Sequence, residues 1–289
     1  MNGNRTSAGS KRRIGGLILA ASIVCCSCGP MNDRPAQENL ALALAGMTGS
    51  DGVTFEGGAV LLQGGKAFPG STIYYGGHVM DHKKVSLFTL LPDERSSPAA
   101  AGTKALKQQQ TTAPAYYSQL EKREGKWQPL DNKTSAGENN PLPALNPLRQ
   151  LEELERMDKK VSEETGAANG TRVLRIELTA AQAHEQLAAE LEQEMQALRP
   201  ERGLSDAGAA AGRKQQAAEA MVALWEKRNS EMKLRLEQAE IKTVYHLTVD
   251  TRHSLPKRLA WTRVVSYPEA ANRSADETYV MQVSFYGYR

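Results

Sequence analysis

Period-two alternation in two separated blocks is what most constrains this chain. In the first block Val53, Phe55, Ala59 and Leu61 alternate with polar or small residues, followed by Ile73, Tyr75 and Val79, then Val85, Leu87 and Leu91. In the second block Leu247 and Val249 lead to Leu259, Trp261, Val265 and Tyr267, and then to Tyr279, Met281, Val283 and Phe285. Successive side chains of a strand point to opposite faces, so each run predicts a strand with one apolar face. The opposite faces carry Arg258, Thr262, Gln282 and Ser284 and are suited to water. One-sided strands of this kind build antiparallel sheets that pack on a core from one side. A hairpin over residues 116–120 and 126–130, turning at Arg123-Glu124-Gly125, extends the first block. The glycine pairs 57–58, 64–65 and 76–77 read as strand ends and bends.

Between the blocks the period changes. Asn146-Pro147 is an N-cap followed by proline at the first helical position, and Leu148, Leu151, Leu154, Met157 and Val161 continue as one stripe. Residues 172–178 alternate again, with Leu174, Ile176 and Leu178 together. Thr179 and Gln182 form a capping box before a stripe of Ala183, Leu187, Leu191, Met195 and Leu198, which Pro200 stops. A charged helix is expected over residues 213–238, with Ala217, Met221, Leu224, Trp225 and Met232. Residues 93–114, 131–145 and 201–212 are rich in Ser, Pro, Ala, Asn and Gly and are expected as exposed loops.

The N-terminus has a different grammar. Lys11-Arg12-Arg13 precede an uncharged stretch, residues 14–28, that ends in Cys25-Cys26-Ser27-Cys28-Gly29-Pro30. A positive segment, a short apolar segment and a small residue before cysteine describe a bacterial lipoprotein signal peptide. The apolar stretch is short of the roughly 20 residues that span a bilayer, and an uncleaved single-span anchor is the rival reading. The segment resembles the lipobox, in which a cysteine receives diacylglycerol. Cys28, preceded by Ser27 and Cys26, is the expected acylation site, and Cys26 is the second choice. A thioether-linked diacylglycerol carries two acyl chains, palmitate among them, and two chains anchor a protein stably.

Cleavage before Cys28 leaves residues 28–289 and removes Arg5, Lys11, Arg12 and Arg13, so the formal charge of +3 becomes −1. Nothing then points to nucleic acid. No disulfide, thiolate nucleophile or cysteine metal site remains. The organisation expected is a signal peptide over residues 1–27, a flexible tether over 28–50, and a single α+β domain over 51–289. The protein is placed on the extracytoplasmic face of the cell membrane.

Catalytic patterns are missing. His78, Asp81 and His82 lie on a strand and lack the further ligands of a metal site. His184-Glu185 opens like a zinc-protease helix, but Ala188 stands where the second histidine belongs. There is no nucleophile elbow, P-loop or dinucleotide fingerprint. The chain reads as a non-enzyme without cofactor or metal.

The order of elements resembles the LolA/LppX-like group of lipoprotein carriers and lipid-binding lipoproteins. The resemblance rests on Tyr245-His-Leu-Thr-Val-Asp250, then Leu255-Pro256-Lys257-Arg258, a strand, and Glu277-Thr-Tyr279 running into Phe285-Tyr-Gly-Tyr288. It also rests on the glycine-bounded strand pair that leads into Tyr75-Gly-Gly-His-Val. Many Gram-positive lipoproteins of unassigned function look similar, and a member of that kind is expected. The resemblance implies a curved antiparallel sheet, an incomplete barrel, with about three helices on its concave face. It implies space for acyl chains between sheet and helices, lined by Leu247, Leu259, Trp261, Met281 and Phe285 from strands and Leu187, Leu191 and Met221 from helices. The alternative is that these residues fill a packed core, and that the protein is an envelope scaffold that meets a protein partner.

Overall fold

In the computed structural model, residues 34–90, 116–130, 140–200, 211–268 and 276–289 are described. The leader with Cys26 and Cys28, residues 93–114, and most of the expected loops at 131–145 and 201–212 lie outside them. The strands are β1 (Gly52–Gln63), β2 (Lys66–Ala67), β3 (Ile73–Met80), β4 (Lys84–Thr89), β5 (Tyr117–Arg123), β6 (Lys126–Pro129), β7 (Lys159–Glu164), β8 (Thr171–Leu178), β9 (Glu240–Asp250), β10 (Pro256–Ser266) and β11 (Glu277–Tyr286). The helices are α1 (Ala36–Thr48), α2 (Pro147–Arg156), α3 (Ala180–Ala197) and α4 (Ala211–Glu237).

All strands join one antiparallel sheet in the order β6-β5-β4-β3-β1-β11-β10-β9-β8-β7, with β2 paired to β1. The sheet is curved and does not close into a barrel. Register puts the apolar phases of every strand on one face. One row across it reads Ile73, Ala59, Met281, Trp261, Tyr245, Ile176. The row beside it reads Leu61, Tyr279, Arg263, Thr243. The glycine pairs 57–58 and 76–77 lie within β1 and β3 and not at their ends, which corrects the sequence reading; only 64–65 forms a turn. A side chain at Gly57 would strike the Gln282 carbonyl, so the close approach of β1 and β11 requires glycine there.

The described residues hold four helices where about three were expected; α1, α2 and α3 bury side chains in the core, and α4 packs on α3. The extra one is α1, which replaces most of the tether expected over 28–50. Leu40, Ala43, Leu44 and Met47 recur at helical spacing and are buried in the core. Residues 140–145, expected in a loop, include a 3-10 helix, Leu142–Leu145, whose Leu142 is fully buried. Asn146 caps α2 as expected, its Oδ1 accepting the Leu148 N–H at 3.1 Å. The helix ends at Arg156, because residues from Lys159 onward pair with β8. Val161 therefore belongs to a strand and not to the α2 stripe.

Helix α2 is tied to the β5–β6 end of the sheet and leads directly into β7. Its Glu152 accepts from Lys122 Nζ of β5 at 2.9 Å and from Trp127 Nε1 of β6 at 3.3 Å. At its other end Lys159 of β7 donates to the Glu155 and Met157 carbonyls. At the start of α3, Thr179 accepts the Gln182 N–H, as the capping box predicts. The Gln182 side chain, however, binds the Asp158 N–H and so ties α3 to the start of β7.

Candidate functional site

Along β10 the apolar phase is Leu259, Trp261, Arg263, Val265, so alternation alone drives a guanidinium onto the concave face. Arg263 is 2% exposed. Its Nη1 donates to Glu190 Oε2 at 2.6 Å and its Nη2 to Glu190 Oε1 at 3.1 Å, the bidentate fork that suits a carboxylate. Its Nε reaches Thr243 Oγ1, its buried row neighbour on β9, at 3.4 Å. Its Cζ lies 5.2 Å from the centre of the Trp261 ring. Burial works against the charge, and Glu190 outweighs burial, so the Arg263 pKa lies above its ordinary value.

Helix α3 meets the sheet along one face. Ala183 and Leu187 are buried, and between and beyond them Gln186 and Glu190 make the polar contacts. Gln186 Nε2 donates to Tyr245 Oη at 3.1 Å. Burial pushes the Tyr245 phenol up, and Gln186 partly offsets it. The Tyr245 ring is 6.2 Å from that of Trp261. Tyr279, beside Arg263 in the row, is pushed up to about 12 by burial first and the Glu277 charge second. Helix α3 also pairs with α4. The Trp225 indole donates to the Met195 carbonyl at 2.7 Å, and the His184 ring meets the Leu236 carbonyl at 3.2 Å. The less exposed residues of α4 are Ala218, Val222, Trp225, Asn229, Met232 and Leu236. Their 4-3-4-3-4 spacing is that of a coiled-coil seam.

The eight residues expected to line an acyl cavity divide three ways. Leu187, Leu247, Leu259, Met281 and Phe285 are buried in the packed core. Leu191 and Trp261 are half-buried against it. Met221 is 58% exposed, because the α4 seam keeps Trp225 and Met232 of the predicted stripe but runs through Ala218 and Val222 in place of Ala217 and Met221. A recess of about 40 Å³ opens elsewhere, among Leu44, Met47, Leu148, Leu151, His82 and Lys122. What does stand half-open is the Arg263 end of the concave face, where Ile73, Ala59, Trp261, Tyr267 and Tyr279 are partly buried.

Sequence reasoning missed Arg263, Glu190, Gln186 and Thr243. The signal for Arg263 was a charge inside an otherwise apolar phase.

The histidines take structural positions. His78 on β3 lies 3.4 Å from Thr54 Oγ1, on the outer face of the sheet. His82 lies in the β3–β4 turn, with positive φ, 2.7 Å from Asp51, so the two do not share a strand face as expected. Among the described residues no cluster of three or more His, Cys, Asp or Glu is placed to hold a metal. No helix among them is long and apolar enough to cross a membrane.

No family model matches the chain, and no curated protein matches it. Solved structures do. The chain is similar to LprF from Mycobacterium bovis at 9% identity and a TM-score of 0.37, covering 88% of this chain and 92% of that one. It is similar to the LolA superfamily protein NE2245 from Nitrosomonas europaea at 7% identity and a TM-score of 0.24, covering 89% and 93%. A DUF1329 family protein from Desulfovibrio piger matches at 10% identity and a TM-score of 0.23, covering 88% and 92%.

Proposed function

We propose that this chain is a lipid-anchored, extracytoplasmic, non-catalytic protein that holds an apolar ligand on the concave face of its sheet. The observation that carries the reading is the asymmetry of that face. One end is covered by α1 and α2, which bury Leu40, Ala43, Leu151 and Leu154 and leave a small recess between them. The other presents partly buried Ile73, Ala59, Trp261 and Tyr279 beside a buried cation. Such an apolar wall with one convergent polar group is how small-ligand sites are built. The ligand displaces the Leu191 side of α3, whose hold on the sheet is confined to one helix face. Native mass spectrometry of the full chain, gently released from detergent, tests the reading. A lipid-sized adduct supports it. A bare protein mass that stays bare after incubation with lipid overturns it. Anchoring is tested separately, with Cys28→Ser expected to lose acyl labelling and to leave the membrane fraction.

A second reading is an envelope scaffold that binds a protein partner. The packed centre supports it, as does α4, on which Leu236 is the only buried residue among residues 215–237. Photocrosslinking from position 224 in intact cells tests it: one discrete adduct supports it, and none overturns it.

A further inference from the structure

The buried cation of the concave face is held by a carboxylate that is free to leave. Arg263 is fixed, because it sits on an inner strand, is 2% exposed, and is walled by Thr243, Trp261 and Tyr279. Glu190 is not fixed in the same way. It rides on α3, its side chain is 40% exposed, and water is its ready alternative. A cation this deeply buried must keep an anion, since an isolated buried charge is far costlier than a paired one. It does not have to keep this particular anion. A fatty carboxylate has the same two oxygens in the same plane as Glu190 and reproduces the fork that the guanidinium makes now. Beside the guanidinium, the row Trp261, Met281, Ala59, Ile73 runs across three strand spacings. At about 4.8 Å per spacing the row is roughly 14 Å long, enough for much of an extended acyl chain once the cover over Met281, which is buried between partly buried Trp261 and Ala59, moves aside.

We propose that the concave face selects amphiphiles with an anionic, carboxylate-type head, which takes Arg263 in exchange for Glu190 while the tail lies along Trp261, Ala59 and Ile73. This rests on the apolar-ligand reading and names the ligand's chemical class. The exchange breaks and makes no covalent bond. Glu190 passes to water, the ligand carboxylate takes its place, and the net charge around the guanidinium does not change. A neutral head cannot displace Glu190, so an uncharged ester of the same tail binds less well.

The test uses the full chain released from detergent in native mass spectrometry, with oleate and methyl oleate as probes at pH 8. The wild-type chain is expected to retain oleate about tenfold better than the ester. Glu190→Gln removes the internal competitor and is expected to raise oleate retention by about a further tenfold, leaving the ester unchanged. The double variant R263Q/E190Q carries no unpaired buried charge, which protects its folding, and it is expected to lose the preference. Equal retention of both probes by all three proteins overturns the anionic-head assignment and leaves the apolar-ligand reading standing. Retention of neither probe by any of them overturns both.

Discussion

Phe55 of β1 lies across Gly77 of β3, so that a methyl group on Gly77 would fall 2.5 Å from the ring's Cζ. The same methyl would strike the Ser86 carbonyl on the other side. Neither neighbour has room to retreat: Phe55 is fully buried, and Ser86 is backbone-paired across from His78. Gly77→Ala is therefore expected to destabilise the fold by about 3 kcal/mol, the upper range for overpacking. Equilibrium urea unfolding measures it. A change under about 0.5 kcal/mol, typical of surface positions, would show that the β1–β3 approach is looser than described.

Leu40 offers a direct check on α1. It is 1% exposed in the core, within a stretch whose sequence reads as a tether. Leu40→Ala is expected to cost about 3 kcal/mol, as for other fully buried leucines. A flexible tether would leave the unfolding midpoint unmoved.

Asp250 holds the β9–β10 turn. Its Oδ1 accepts the N–H groups of Arg252 and His253 at 2.9 and 3.1 Å, and its Oδ2 lies 2.8 Å from Lys257 Nζ. The Lys257 bond first, and the two backbone bonds after it, hold this carboxyl well below the usual carboxylate range. A depressed folded-state pKa contributes stability above the unfolded value, near 3.9, and loses it as pH falls toward the folded value. Asp250→Asn is expected to cost about 1–2 kcal/mol at pH 7. The gap between variant and wild type should narrow as the pH drops below about 4. Unfolding curves at pH 7 and pH 3 decide it, and a gap that widens in acid would contradict the assignment.

Trp225 pins the outer part of the α3–α4 pair through the Met195 carbonyl, with the Arg199 guanidinium 5.2 Å from its ring. Most side chains around it are exposed, so Trp225→Ala should act locally. Amide exchange over residues 192–199 and 215–228 is expected to speed up by tenfold or more, with little change in Tm. A Tm drop of many degrees would mean that the hairpin is part of the cooperative core.

The sheet was legible because it obeys one period. Alternation located β1, β3, β4, β8 and the three C-terminal strands, and the turn at Glu124-Gly125 fixed the β5–β6 hairpin. Three features were masked by competing signals. Val161 is in phase with both the α2 leucines and a strand, so β7 looked like more helix. Residues 36–48 follow Pro, Asn and Asp, which advertise a linker, although Leu40, Leu44 and Met47 already carry helical spacing. On α4 two apolar stripes lie side by side, and only contact with α3 chooses the one through Trp225 over the one through Met221. The Arg263–Glu190 fork joins residues 73 positions apart, and no local pattern pairs them.

A sheet with two ends carries two rows of unpaired backbone donors and acceptors, and such edges recruit strands from other chains. Here β6 is four residues long and ends at Pro129, while β7 opens with Lys159 and Lys160. On the β6 side the Trp127 indole is held by Glu152 of helix α2. Both ends of the open sheet thus carry features that guard it against self-association. Edges that are short, charged and occupied leave a second copy of the chain no free ladder to extend.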